Sequence, residues 1–119
     1  MPFIKMVTDI LQKLFQAQVI THYWHLRTTS YAEHKALNMF YDKLDSKLDK
    51  LAEALIGKYG KLPEVPKSIS LDKQDPKSYM DELANFMDVY IEAASPDCQD
   101  LMIDIKNLIN TTRYLLTLK

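Results

Sequence analysis

Residues 21–57 decide the fold, and they read THYWHLRTTSYAEHKALNMFYDKLDSKLDKLAEALIG. Apolar residues recur at helical spacing on both sides of a polar break at residues 28–30, which predicts two helices joined by a short turn. Ser30 and Glu33 match a capping box, so the second helix is predicted to begin there. Gly57 or Gly60 should end it, because glycine adopts the left-handed conformation at a helix C-terminus without strain.

The sequence before this stretch predicts the beginning of the first helix, and the sequence after it predicts a linker. The first helix is predicted over residues 3–26, and its apolar face is formed by Phe3, Val7, Ile10, Leu11 and Leu14. Residues 59–76 form a linker, in which three prolines prevent a regular helix and three apolar residues predict packing across the bundle. These residues are Pro63, Pro66 and Pro76, and Val65, Ile69 and Leu71.

Two proline signals open the last two helices. Asp75-Pro76 and Ser95-Pro96 each place a capping residue directly before a proline in the first helical turn. They predict helices over residues 76–94 and from residue 96 to the C-terminus. The predicted fold class is therefore all-α, with two long helices, a long linker and two shorter helices. The short links make the first pair and the last pair antiparallel neighbours.

The composition limits the classes of function. The chain has 119 residues, which is enough for one domain with one core. A net charge of −1 gives no electrostatic reason to bind nucleic acid or an anionic membrane. The single cysteine, Cys98, excludes an intrachain disulfide and fits a reducing, cytoplasmic compartment. We expect neither a signal peptide nor a membrane span, because no apolar run is long enough.

The second helix has three distinct faces when it is projected at about 100° per residue. Its leucines form an apolar face, lysines form a second face, and one histidine and several carboxylates form a third. The carboxylates are Asp42, Asp45, Asp49 and Glu53, and the lysines are Lys43, Lys47 and Lys50. A solvated face is the ordinary interpretation of such charges. Here, however, like charges lie four residues apart and repel, and a bound cation would turn that repulsion into affinity.

The candidate metal ligands are two kinds of side chain on two adjacent helices: His22, His25, His34, Asp49 and Glu53. Asp49 and Glu53 lie one helical turn apart and therefore on one side of the helix. Because the two helices are antiparallel, the histidines that end the first helix face His34 near the start of the second. Mixed imidazole and carboxylate ligands are those with which helical bundles hold iron or manganese. The alternative is that the histidines are core or capping residues and that Tyr31 and Tyr41 simply pack.

These residues resemble those of the Dps proteins, the mini-ferritins of the ferritin-like superfamily. His22, then His34 twelve residues later, then Asp49 fifteen residues further and Glu53 match that family's spacing over the first half of the chain. The segment that contains His34 also resembles short ferritin-like proteins of bacteriophages. The resemblance implies a ferritin-like four-helix bundle with a long crossover between the second and third helices.

The resemblance also implies a function. Subunits would pair across a two-fold axis, with His22 and His34 from one subunit and Asp49 and Glu53 from the other forming a ferroxidase site. Fe2+ would be bound there and oxidised to Fe3+ by peroxide or oxygen, with manganese or zinc as alternative metals. In the full family twelve subunits close a shell, so the implied partners are metal ions and further copies of this chain.

The chain departs from the family pattern in ways that leave alternatives open. Asn38 stands where the family has a carboxylate, and a gapped alignment makes His25 the ligand in place of His22. The chain is short, and it carries no lysine-rich N-terminal tail, so DNA binding is not expected. The alternative function is a non-catalytic helical protein, structural or interacting and of viral origin, whose metal site is degenerate. A general helical interaction module is a third, weaker interpretation.

Overall fold

Four α-helices occupy the part of the chain that the computed structural model describes, residues 2–60, 68, 70 and 74–119 with side chains from Lys5 onward. They are α1 (Pro2–Arg27), α2 (Tyr31–Tyr59), α3 (Pro76–Ala93) and α4 (Pro96–Leu115). These residues contain no strand, so the predicted all-α four-helix bundle is confirmed. None of the described helices is both long enough and apolar enough to cross a membrane.

Local capping explains where α2 begins and ends. The Ser30 side chain accepts a hydrogen bond from the Glu33 backbone N–H at 3.2 Å, as the capping-box pattern predicts. The reciprocal bond is not made by Glu33, because the Ser30 N–H donates to the Thr28 hydroxyl at 3.1 Å instead. Gly60 is the C-terminal cap with φ of 107°, a left-handed value that favours glycine, whereas Gly57 lies inside the helix.

The other two predicted helix starts are also observed, but with different capping chemistry. The Asp75 side chain accepts from the Ser78 N–H at 2.9 Å, which is the expected N-terminal cap of α3. Ser95 does not cap α4 with its side chain. Its hydroxyl instead accepts from the Lys58 ammonium at 2.7 Å, so it joins α4 to the end of α2.

The helix directions follow from contacts between the helices. α1 and α4 each pack against both α2 and α3. Lys47 pairs with Asp104 and Lys58 with Asp97, both at 2.8 Å, which makes α2 antiparallel to α4. Tyr79 and Tyr90 of α3 hydrogen-bond in turn to Gln16 and Asp9 of α1, so this pair is antiparallel too. Hence α2 and α3 run in the same direction and start at the same end of the bundle.

The core confirms both apolar faces predicted for the first two helices. Its fully buried members from α1 and α2 include Ile10, Leu11, Leu14, Leu37, Phe40, Leu44, Leu51 and Leu55. The Phe3 side chain lies outside the described residues, as do Pro63, Val65, Pro66, Ile69 and Leu71 of the predicted linker. Ser70 is described, and its carbonyl accepts from the Gln16 side chain of α1 at 2.6 Å.

Candidate metal centre at the α1–α2 turn

The turn between α1 and α2 brings all three histidines together. Residues 28–30 alone separate the two helices, so the end of α1 lies beside the start of α2. The His25 and His34 rings stack with centroids 4.0 Å apart, and the His22 and His25 centroids are 5.6 Å apart. His25 is buried, His34 is half-buried and His22 is exposed. The structure therefore places His25, rather than His22, directly against His34.

A hydrogen bond fixes which nitrogen of the His34 ring carries a proton. Its Nδ1 lies 2.7 Å from the backbone carbonyl oxygen of His25. Because a carbonyl oxygen can only accept, Nδ1 must carry a proton, and in the neutral form of the ring the lone pair is therefore on Nε2. A histidine that donates one ring N–H to a backbone carbonyl and presents the other nitrogen is the usual arrangement of a metal-binding imidazole.

His25 is the polar group of this cluster that lacks a partner. Its Nδ1 is buried and makes no hydrogen bond of normal geometry with any described residue. Burial lowers the pKa of His25, the neighbouring His34 ring lowers it further, and the His22 backbone partly opposes the shift. A buried polar atom without a partner costs roughly 1–3 kcal/mol. The chain therefore holds a neutral, unsatisfied imidazole beside a second one.

Tyr41 and Asn38 close one side of the cluster. The Tyr41 ring stacks on His22 at 4.2 Å between centroids and meets His25 at 5.1 Å. Its hydroxyl donates to the Asn38 side-chain oxygen at 2.9 Å. From the sequence, Tyr41 is predicted only to pack. Its position seven residues after His34, on the same helix face, was the signal that could have placed it here.

The predicted carboxylate ligands lie elsewhere in the same chain. Asp49 and Glu53 are exposed on α2, and Asp49 is 15 residues from His34, which is about 22 Å along a helix. No three His, Cys, Asp or Glu side chains among the described residues converge on one point in a way that could hold a metal ion. One chain thus brings His22, His25 and His34 together and keeps the two carboxylates apart from them.

The predicted charged faces of α2 are observed with one correction. Asp42, Asp49 and Glu53 are exposed, and Asp45 accepts from the Gln18 amide of α1 at 3.1 Å. Lys47 is not part of an outer basic face, because it is half-buried and pairs with Asp104 of α4. The helical projection could not separate these cases, since it does not say where the fourth helix packs.

An exposed apolar stripe on α1 lies beside the carboxylates and was not singled out in the sequence. Its members occur at helical spacing of four, four and three residues, and each keeps 40% or more of its surface exposed. They are Phe15, Val19, Tyr23 and Leu26. The Gln18–Asp45 hydrogen bond and the His22–Tyr41 stack join the edges of the two helices. The stripe and the carboxylates therefore form one outer α1–α2 face.

Comparison with known proteins identifies the family. Residues 25–116 match the family described as "Family of unknown function (DUF5856)". The chain belongs to this family, since the match covers most of its length. It is also similar to an uncharacterized 14.6 kDa protein of the mobD-ri intergenic region of Enterobacteria phage T4. The two are 28% identical over 113 residues, which are 93% of this chain and 88% of the phage protein. No solved structure matches the chain.

Proposed function

We propose that this protein is a ferritin-like, Dps-type metal-binding protein that takes Fe2+ at the α1–α2 turn and oxidises or sequesters it. The observation that carries the proposal is the His34 ring. Its Nδ1 is committed to the His25 carbonyl, and its Nε2 is left as a lone-pair donor beside a buried imidazole. The order and directions of the helices also support the proposal. Two antiparallel helix pairs joined by one long connection are the topology of ferritin-like bundles.

A second copy of the chain supplies the carboxylates in this proposal. Within one α2 helix, His34 and Asp49 are about 22 Å apart, which is too far for them to bind the same ion. A two-fold axis that passes α2 midway between them, near Tyr41 and Asp42, would set Asp49 of one chain opposite His34 of the other. The same register sets Asp45 opposite Asn38, so a carboxylate faces an amide there rather than a second carboxylate.

The outer α1–α2 face supports such a dimer. The apolar stripe of α1 is centred between Val19 and Tyr23, and His22 stacks on Tyr41 of α2. The stripe is therefore level with the proposed axis and would pack against its own copy. A two-fold interface uses the same patch on both subunits, which an apolar stripe flanked by polar residues satisfies. In the Dps family, which the chain resembles, twelve subunits close a shell, so the proposed dimer would be one part of such an assembly.

The proposed chemistry treats iron as substrate. Imidazole nitrogen from one chain and carboxylate oxygen from the other would bind Fe2+ and favour Fe3+, because carboxylates stabilise the higher charge. Each ferrous ion gives up one electron, and two ions together reduce one molecule of hydrogen peroxide. Asn38 is engaged with the Tyr41 hydroxyl and offers only an amide oxygen. We therefore expect oxidation to be slower than at a site with a carboxylate at this position.

The test is complementation between two defective chains. His34→Ala removes the imidazole, and the double variant Asp49→Asn/Glu53→Gln removes the carboxylates. Each variant alone should lose saturable binding in an anaerobic Fe2+ titration and lose peroxide-driven absorbance in the near ultraviolet. Co-refolded in equal amounts, they should recover about one site per mixed dimer, because one of its two sites has all its ligands intact. Glu92→Gln/Asp100→Asn, at two exposed carboxylates of α3 and the α4 start, is the matched control.

Two results would contradict the proposal. If the mixture binds no more iron than the separate variants, the site is not shared between chains. If Asp49→Asn/Glu53→Gln binds iron as the wild type does, those carboxylates are not ligands. Either result contradicts the proposal only if the variants are correctly folded. Circular dichroism and sedimentation would establish this for each variant.

A non-catalytic structural or interaction protein is the second candidate function. Asn38 favours this candidate, because its side-chain oxygen accepts a hydrogen bond from the Tyr41 hydroxyl. The site therefore has one carboxylate fewer than the family pattern. The similarity to a phage protein fits a viral component, although that relative's name assigns no activity. This candidate predicts that the dimer forms while iron neither binds nor stabilises it, an outcome that the same titration would reveal.

A further inference from the structure

We infer that His22, His25 and His34 can close, within a single chain, into an all-nitrogen binding site for a divalent cation of the zinc, cobalt or nickel class, with His25 as its central ligand. As the structure places them, the three rings do not converge on one point, so the site requires the rings to rearrange. This inference rests on the metal-binding half of the proposed function but needs neither a second copy nor Asp49 or Glu53. The same turn would then bind two classes of ion in different ways. The zinc-class ion would compete with iron for His34.

The separation of the rings suits a shared ion. Two imidazoles bound to one tetrahedral zinc have ring centroids about 5 Å apart, given Zn–N bonds of about 2.0–2.1 Å. The His22–His25 and His25–His34 centroid distances, 5.6 and 4.0 Å, lie on either side of that value. His25 is thus within reach of both other rings, which makes it the only one of the three placed to join them.

The available nitrogens support the same assignment. His34 presents Nε2, because its Nδ1 donates to the His25 carbonyl. His25 keeps a buried Nδ1 for which the described residues provide no hydrogen-bond partner, and it is only 8% exposed. An ion on His25 would satisfy a buried side-chain nitrogen that has no hydrogen-bond partner among the described residues.

Binding requires one defined rearrangement. The His25 and His34 planes are inclined by only 25° and their centroids are 4.0 Å apart, so their lone pairs lie in nearly parallel planes and do not yet converge on one point. The His22 and His25 planes are inclined by 55°, which is closer to a chelating arrangement. Rotation of the His25 ring about its terminal torsion would direct its lone pair between its neighbours. Tyr41 lines the site but is not a ligand, because its hydroxyl already donates a hydrogen bond to Asn38.

The donor set determines the class of ion. Three imidazoles without a carboxylate favour zinc and its neighbours cobalt and nickel over magnesium and manganese, which prefer oxygen ligands. For the zinc-class ions the chain supplies three of four tetrahedral positions, and water would occupy the fourth, as in three-histidine sites generally. The site is therefore an open one, accessible through the exposed His22 side.

The test titrates tag-free protein with Co2+, followed by Zn2+ competition and thermal unfolding. Wild-type protein should develop the visible absorption of four- or five-coordinate cobalt, lose it to zinc, and unfold at a higher temperature with zinc. Asp49→Asn/Glu53→Gln should behave identically. His25→Gln and His34→Gln should each weaken cobalt binding by about 100-fold, since even outer partners of a ligand cost 10–100-fold. His22→Gln, at an exposed position that does not threaten folding, should weaken cobalt binding as well.

Each alternative result overturns the inference in a distinct way. If folded wild-type protein yields no cobalt spectrum, the three rings do not form a site. If the spectrum persists in His25→Gln, or equally in His25→Leu should the first variant fail to fold, His25 is not the central ligand. If Asp49→Asn/Glu53→Gln abolishes the spectrum, the carboxylates belong to the site and the shared-site proposal stands without this one. Loss of iron binding alone in that variant leaves this inference intact.

Discussion

The two halves of the bundle carry their charges in opposite ways. On α3 and α4, unlike charges face each other: Asp81 accepts from Arg113 at 2.7 Å and pairs with Lys77 at 3.2 Å, and Lys106 pairs with Asp88. On the outer α1–α2 face, carboxylates lie beside carboxylates, and no ion pair with a described residue reaches Asp49 or Glu53. The apolar stripe and the unsatisfied His25 lie in this half as well.

This difference separates groups that are paired within the described chain from groups that are not. A paired surface charge is complete within the chain and contributes little, often less than about 1 kcal/mol. A segregated carboxylate row, an exposed apolar stripe and a buried imidazole without a partner each carry a free-energy cost that the chain alone does not offset. All three costs fall on one half, which is why the proposed metal centre and the proposed interface are placed there.

The largest expected effect comes from breaking the apolar stripe. Val19→Asp would bury a charge at the centre of the proposed interface. It should raise the dimer dissociation constant at least 100-fold, or about 2.7 kcal/mol, without changing helix content. Analytical ultracentrifugation over a range of concentrations measures this directly.

Val89→Asp provides the matched control for the other half. Val89 is 65% exposed on α3, more than the 40% of Val19, so exposure alone would make it the more sensitive position. The Val89→Asp substitution should leave the dimer dissociation constant unchanged. A wild-type chain that is monomeric at micromolar concentration, or an equal effect of both variants, would contradict the assignment of the α1–α2 face.

The next effect concerns the buried imidazole. His25→Leu removes an unsatisfied polar atom and keeps an apolar side chain against His34 and Tyr41. It should raise the free energy of unfolding by about 1 kcal/mol at pH 7 in the presence of a chelator. Urea denaturation followed by circular dichroism measures the change. His22→Leu, at an exposed position, should give no such gain, and a loss of stability in His25→Leu would mean that the ring is satisfied in solution.

The helices were predictable from the sequence because their limits are set by local chemistry. Asp75 caps α3 through a residue three positions away, and Gly60 ends α2 through its own backbone conformation. Both signals are contained in a few consecutive residues. The histidine cluster was predictable for the same reason, because a turn of three residues leaves the helix ends no other place to lie.

The features that the sequence analysis missed depend on contacts between distant residues. Ser95 has the sequence of a cap, but its hydroxyl binds Lys58 of α2. Lys47 fits an outer basic face on a helical wheel, but α4 approaches that side and Asp104 pairs with it. The preference for His22 over His25 came from spacing, which cannot reveal that His25 is the ring stacked on His34.

Acid should destabilise the two halves in different pH windows. The pKa of His25 is lowered from 6.5 mainly by burial, so the unfolded chain takes up this proton at a higher pH than the folded chain. Stability should therefore fall as the pH drops through 6.5. The pKa of Asp81 is lowered from 3.8, chiefly by the hydrogen bond from Arg113, so its contribution persists above 3.8 and is lost only below it. His25→Leu should remove the first loss and keep the second, as unfolding curves from pH 8 to 3 would reveal.

The smallest expected effect is on the free energy of unfolding, and it contrasts the two halves most directly. The same Asp→Asn substitution should change this free energy with opposite signs in the two halves. Asp49→Asn removes like-charge repulsion from Asp45 and Glu53, and should stabilise the chain by a few tenths of a kcal/mol. Asp81→Asn weakens pairs with Lys77 and Arg113 that are about 40% exposed, and should destabilise it by about 0.5 kcal/mol after allowance for solvent screening. Both belong on the monomeric Val19→Asp background with a chelator present, so that neither interface nor metal contributes. Added salt should shrink both differences, since screening weakens repulsion and attraction alike. If Asp49→Asn instead destabilises this monomer, the carboxylate row is stabilised within one chain, and the reason to expect a cation beside it disappears.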